Sequence, residues 1–219
     1  VKFPEMTATT RKSDKEKKPR TAPAEVRRAQ LIDATITCIS KYGISGTTLT
    51  GVTKEAGLSL GLVNFHFKSK DALLTETLNT LAAEHRDLWM KAIERDDLGA
   101  ADKLTAIVEA QFHPRICSRK KLAVWFAFFG EAGHRKSYRE HSSRFDIERQ
   151  EICAGLCRQI IVEGAYTGPD PEGISMTMEA MFDGFWLNML MYPATFTGKA
   201  AVAQVRTYLA TLFPGHFNV

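Results

Sequence analysis

Ser59, Asn64, His66 and Lys70 lie close together in one short stretch, and each carries a group able to bind a phosphate or a base edge. A serine hydroxyl and a lysine ammonium suit a phosphate, and an asparagine amide can pair with a base edge or hold a phosphate. Leu60 and Leu62 stand among them. They are odd residues to leave in solvent, but they can pack on thymine methyl groups. Gly61 lets the backbone approach another molecule closely. Together these groups suit contact with duplex DNA.

Such side chains need a rigid mount. Leu49, Val52 and Ala56 recur at helical spacing and run into Gly57, and a second short apolar segment covers Leu60 to His66. Two short helices joined by a tight, glycine-containing turn form a helix-turn-helix, whose second helix can enter a major groove with its N-terminal residues leading. Thr48 is the expected N-cap of helix two and Ser59 of helix three. Val63 and Phe67 are expected to face inward and lock helix three onto helices one and four. Lys70 opens helix four, placed for a backbone phosphate. The competing reading is a three-helix packing unit with no role in DNA binding.

Charge is distributed as a DNA contact requires. Residues 1–70 carry 13 Lys+Arg and 6 Asp+Glu, a net of +7, while residues 71–219 carry 16 and 19, a net of −3. Phosphate neutralisation drives non-specific DNA affinity, so a basic N-terminal third is its expected footprint. Residues 1–23 contain Pro4, Pro19, Pro23 and the run Lys15 to Lys18, and read as a flexible basic arm. Their charged start is not that of a secretory signal.

The remainder reads as helix almost throughout. Expected helices cover 24–42, 70–95, 101–112, 119–132, 136–163, 171–191 and 199–212 beside the two short ones. Gly43, Pro114, the 164–171 turn, Pro193 and Pro214-Gly215 punctuate them. No segment alternates as a strand would, so the fold class is all-α. No apolar run reaches the roughly 18 residues of a membrane span, and no membrane contact is expected. Cys38, Cys117, Cys153 and Cys157 match no zinc spacing and read as buried thiols of a reducing cytoplasm, with neither metal nor cofactor expected. His85, His113, His134 and His141 are scattered without a carboxylate at ligand spacing, which argues against an enzyme.

The stretch from Arg27 to Leu74 has the form RxxLIxAT…YGxxxTTLxxVxxEAGLSxGLVxxHFxSKxxLL. It resembles the DNA-binding domain of TetR-family transcriptional regulators, with the TT pair, AGxSxG and HFxSK at the family spacing. Gly51, Thr53 and Asn64 depart from the usual pattern, which has a polar helix former, a small alanine and often a tyrosine there. The resemblance implies a helix-turn-helix domain over 24–69. It also implies a ligand-binding and dimerisation domain over 70–219, whose last two helices pair with those of a second copy. By that analogy Met178, Met181, Phe185 and Met189 of helix eight, with Val205 and Leu209 of helix nine, are the expected dimer interface.

Helix six carries Trp125, Phe126, Phe128 and Phe129, followed by Glu131. Aromatic faces around a cation with a carboxylate nearby make a box for a quaternary ammonium. Trp125, Phe126, Phe129 and Glu131 are therefore candidate ligand residues, with Trp186 as a wall from helix eight and Trp89 from helix four; plain core packing is the competing reading of each. VWFAFFGEAGHR and FDGFWLNML also resemble the C-terminal segments of the betaine-pathway, choline-responsive (BetI-like) branch of the family. Trp125, Ala127, Phe128 and His134 fit the first, and Asp183, Gly184, Trp186 and Leu187 the second. The expected protein is a dimeric repressor of palindromic operator DNA, released by a small-molecule inducer such as choline. The alternative is a regulator of an efflux or catabolic operon answering to a flat aromatic, cationic or lipid-like ligand.

Overall fold

Helical periodicity, capping residues and glycine stops produce the elements the sequence implies. The computed structural model describes residues 23–133 and 136–218; residues 1–22 of the expected arm over 1–23 and the expected ligand-segment residue His134 lie outside them, and so do Arg135, Val219 and some side chains of residues 92–143. Among the described residues the chain forms α1 (Ala24–Gly46), α2 (Leu49–Ala56), α3 (Leu60–His66), α4 (Lys70–Ile93), α5 (Ala100–Gln111), α6 (Arg119–Ala132), α7 (Lys136–Gly164), α8 (Pro171–Met191) and α9 (Gly198–Leu212), and no strand. The fold is all-α, and among the described residues no helix is long and apolar enough to cross a membrane.

Local chemistry sets the boundaries. Thr48, Ser59 and Ser69 each accept a hydrogen bond from the backbone N–H three residues on, capping α2, α3 and α4. A Cβ at Gly51 would meet the Thr48 hydroxyl at 3.2 Å, so the small residue leaves room for the α2 cap. The Thr53 hydroxyl, in place of the usual alanine, donates to the Thr50 carbonyl. Gly57 takes φ 65° and ψ 32°; its N–H and that of Leu58 return to the Lys54 and Thr53 carbonyls, which ends α2 in a Schellman turn. Gly43 breaks α1 as expected, at φ 69°, but the chain resumes for one more turn to Gly46. Burial of Ile44 and the Thr47 hydroxyl bond to the Gly43 carbonyl hold that extra turn.

Two helices join the N-terminal unit to the body. α4 packs on α1 and continues to α5 and α7, while α6 packs along α1 and also touches α7 and α8. Lys120 of α6 reaches Thr37 of α1. One buried apolar cluster accordingly runs from Leu31 through Val63, Phe67, Leu74, Leu78, Leu81 and Trp89 to Phe217. In the body α7 pairs with α8, α8 with α9, and α9 closes on α5. All four cysteines are buried free thiols.

Candidate functional site

The seven-residue α3 has one anchored face and one bare face. Val63 and Phe67 are buried, as the pattern required. Ser59, Leu60, Gly61 and Asn64 are exposed, and Leu62 and His66 are half-buried. Thr48 is exposed at the start of α2. Phe65, absent from the sequence-derived set, is 77% exposed and is the barest large apolar side chain on the helix, beside Leu60 at 46%. Its position was legible: with Val63 inward, Phe65 is turned 200° from it and shares the opposite face with Gly61. Lys70 also has a partner within the protein, which leaves two of its three N–H donors for the phosphate assigned to it. Its ammonium donates to the Ile44 carbonyl at 2.9 Å, supplying the cation that the end of α1 lacks.

The body encloses a cavity of about 300 Å³ bounded by α4, α5, α6, α7 and α8. Trp125, Phe129 and Trp186 line it as expected. Trp125 packs on Phe129 at 6.0 Å between centroids and on Trp186 at 5.8 Å, and His85 packs on Trp186 at 5.4 Å.

Three expected ligand residues are not on its wall, and helical geometry explains each. Phe126 is turned 100° from Trp125 and packs edge-on against Phe129 from outside. Glu131 is turned 240° from Trp125, off the face that Trp125 and Phe129 share. Trp89 lies one turn beyond His85 on α4, fully buried, with the Arg86 guanidinium 5.7 Å from its ring. The carboxylates come instead from Asp146, Glu179 and Asp183. Periodicity within one helix could not show these, because they project from α7 and α8.

Arg149 organises the polar side of the cavity. It is buried, its Nε and Nη2 donate to Glu179 at 2.9 and 2.5 Å, and Nη2 also reaches Asp146 at 2.9 Å. Burial opposes its charge, but the Glu179 hydrogen bonds and carboxylate, helped by Asp146, hold its pKa well above the ordinary arginine value. Burial and the Arg149 cation push His85 down to about 3, against the Gln111 hydrogen bond, so it is neutral. Enclosure and the Asp146 and Glu179 charges raise Asp183 to about 6, although Arg149 opposes them and one side of the residue meets solvent. Three carboxyl groups against one guanidinium leave the cavity net negative, at −2 when all are ionised.

Three of the dimer residues assigned from the sequence, Met178, Val205 and Leu209, need correction. Met178, Val205 and Leu209 are fully buried in their own subunit, and Met181, Phe185 and Met189 are half-buried against the same core. Phe185 packs on Phe112 at 6.3 Å and on Phe196 at 5.3 Å. The bare stripe of α8 lies on the opposite side and runs through Met176, Ala180, Gly184, Leu187 and Met191. Because α8 carries apolar residues on more than one side, composition could not tell these faces apart.

Residues 31–77 match the family described as bacterial regulatory proteins, tetR family, and residues 100–214 match the BetI-type transcriptional repressor, C-terminal family. The HTH-type transcriptional regulator BetI of Paraburkholderia phymatum is 33% identical, over 89% of this chain and 96% of its own. The chain belongs to the TetR family, with a BetI-type C-terminal domain. A transcriptional-regulator candidate from Pseudomonas aeruginosa PAO1, solved as a crystal structure, has a TM-score of 0.78 at 31% identity, covering 89% of this chain and 93% of that one. Another from Saccharomonospora viridis, solved in complex with choline, has a TM-score of 0.75 at 19% identity, covering 85% and 96%. The TetR-family repressor is thus a DNA-binding regulator and not an enzyme.

Removing the guanidinium tests the polar side of the cavity. Arg149→Met leaves Glu179 unpaired and is expected to cost about 3–5 kcal/mol, a fall in Tm of roughly 10 °C by calorimetry; an unchanged Tm refutes the assigned role.

Proposed function

We propose that this repressor leaves a palindromic operator when a small quaternary ammonium compound, choline as the reference, occupies the cavity, and that it controls genes of choline-to-betaine conversion. The observation carrying this reading is the pairing of the Trp125 and Trp186 faces with a carboxylate excess in one small space. Indole faces attract a cation that cannot donate hydrogen bonds, and the excess negative charge favours it further. A cavity of about 300 Å³ is at the low end for ligand pockets, which favours a compact ligand over a long chain. The choline-bound structure of the Saccharomonospora viridis relative agrees with the same fold serving this chemistry.

The functional unit is a homodimer. The bare stripe Met176, Ala180, Gly184, Leu187 and Met191, with Ala203 and Thr207 of α9, forms its interface. Small residues at Ala180, Gly184 and Ala203 let facing helices approach closely. Two α3 helices about 34–36 Å apart then meet successive major grooves. Release follows from α4 and α6. α6 carries Trp125 and Phe129 on the cavity side and packs along α1; α4 carries His85 and packs on the same helix. A ligand that binds one placement of these helices better than the other moves the N-terminal units by that differential affinity. On DNA, the outer face of Leu60, Asn64 and Phe65 contacts bases, mainly through thymine methyls, while Thr48 and Ser59 lie nearer the phosphates.

Choline is expected to bind, measured calorimetrically, while its neutral carbon isostere 3,3-dimethylbutan-1-ol binds roughly 30-fold more weakly, from a cation–π contribution of about 2 kcal/mol in a desolvated site. Equal binding refutes the ammonium box. Choline affinity also rises with pH through about 6, because bound cation favours ionised Asp183, and Asp183→Asn flattens that rise. Asp146, Glu179, Arg149 and His85 also face this group; His85 stays neutral throughout the window.

Leu187→Arg is expected to convert the dimer to monomer in light scattering while the helical circular dichroism is kept. A persistent dimer moves the interface elsewhere. For the DNA face, replacing operator thymines singly with deoxyuridine is expected to weaken binding several-fold at one or two positions, and Phe65→Ala removes that sensitivity. Uniform indifference to the methyl groups refutes the apolar readout.

A further inference from the structure

α6 begins against the usual rule of helix electrostatics. Its first turn opens Arg119-Lys120-Lys121, three cations and no acid at the end where the helix dipole is positive. A local rule broken in this way is normally offset by contacts elsewhere in the fold. Two of the three cations make such contacts. The Lys121 ammonium meets one carboxylate oxygen of Glu84 on α4 at 2.5 Å, and Arg115, just before α6, meets the other at 3.4 Å. The Lys120 ammonium donates to the Thr37 hydroxyl of α1, which in turn donates to the Asp33 carbonyl. One turn of α6 grips α1 and α4 at once.

The place of that grip gives it a task. Lys121 lies one turn before Trp125 on the same side of α6, and Glu84 directly precedes His85 on α4; Trp125 and His85 both line the cavity. Eight residues earlier on α4, about 12 Å along its axis, Glu76 meets Arg28 of α1 at 2.6 Å. The Arg28 guanidinium lies 4.8 Å from the ring of Phe67, the buried C-cap of α3. Glu76, Thr80 and Glu84 share one side of α4. Charged contacts therefore lead from the cavity wall, along one side of α4, to the end of the recognition helix.

We propose that Glu84 is a positioning residue for release from DNA. Its carboxylate, held by Lys121 and Arg115, makes α4 follow the first turn of α6 when the cavity is filled, and Glu76 passes the movement through Arg28 to the end of α3. This deepens the induction reading above and rests on it. Glu84 is not on the cavity wall, and it stands on α4, apart from the exposed face of α3. Its loss therefore leaves both binding sites whole and removes the link between them. The Glu84–Lys121 pair lies near the surface, with side chains 25 and 20% exposed, where an ion pair contributes little to stability. The apolar cluster shared by α1 and α4 keeps the N-terminal unit in place without it. What the pair fixes is the placement of α6 against α4.

The test uses the full chain and a DNA duplex that the protein itself selects from a random-sequence pool. Duplex affinity is measured by fluorescence anisotropy with and without saturating choline, for the unaltered chain, Glu84→Gln, Lys121→Gln and the two together. The factor by which choline weakens DNA binding is expected to fall about 2- to 30-fold in each single variant, the range for substitutions that touch neither ligand. The double variant is expected to fall no further, since the two residues act through each other. DNA affinity without choline and choline affinity without DNA are expected to stay as they were, which a merely structural role would not allow. The same reduced factor is expected for choline binding with DNA present, because coupling is reciprocal. Undiminished release in Glu84→Gln overturns the role of Glu84 and leaves the induction reading intact. Falls that add in the double variant overturn the pairing with Lys121. Loss of choline or DNA binding on its own in the variants makes Glu84 structural and also overturns the proposal. Failure of choline to release the unaltered chain overturns both readings.

Discussion

A guanidinium buried as deeply as Arg149 survives only where carboxylates meet it, and Glu179 and Asp146 do so from α8 and from its own helix. That pairing ties α7 to α8 at the depth of the cavity and fixes the position of the walls on either side. It also adds to what burial does to its neighbours. Burial, helped by the cation, keeps His85 neutral, and burial, helped by the carboxylates gathered around Arg149, raises Asp183. The cavity is therefore polar on one side and aromatic on the other, with a negative balance that comes from Glu179 and Asp183 of α8, since Asp146 and Arg149 of α7 cancel.

The same walls are joined mechanically to the N-terminal unit. α6 presents Trp125 and Phe129 inward and packs along α1 on another face, while α4 runs from its Ser69 cap beside α1 to His85 at the cavity. The continuous buried cluster leaves no soft layer between the two units. A change in the spacing of the cavity walls must then be absorbed by moving helices, since close-packed interiors do not compress. Lys70 strengthens the joint: its ammonium holds the last turn of α1 to the first turn of α4.

Much of the fold was legible because its signals are local. Thr48, Ser59 and Ser69 cap the helices they precede, Gly57 takes the left-handed turn, and the apolar periodicity of α4 buries Leu74, Leu78, Leu81 and Trp89 as spaced. Trp125, Phe129 and Trp186 also reached the cavity, helped by the family resemblance of their segments. The failures share one cause. Glu131 and Phe126 follow Trp125 closely in sequence but not around the helix, and Trp89 is apolar enough for either core or pocket. Met178, Val205 and Leu209 look like interface residues only while their burial within their own subunit is unknown.

Amino-acid sequence alone determined the helices, their caps and turns, the basic N-terminal third and the membership of the recognition segment, because these depend on contacts within a few residues. Tertiary structure decided which carboxylates join the aromatic walls, that Lys70 also reaches the end of α1, and which stripe of α8 stays bare. Those outcomes depend on how the faces of five helices converge. An apolar helix carries no mark of which side its own subunit will cover.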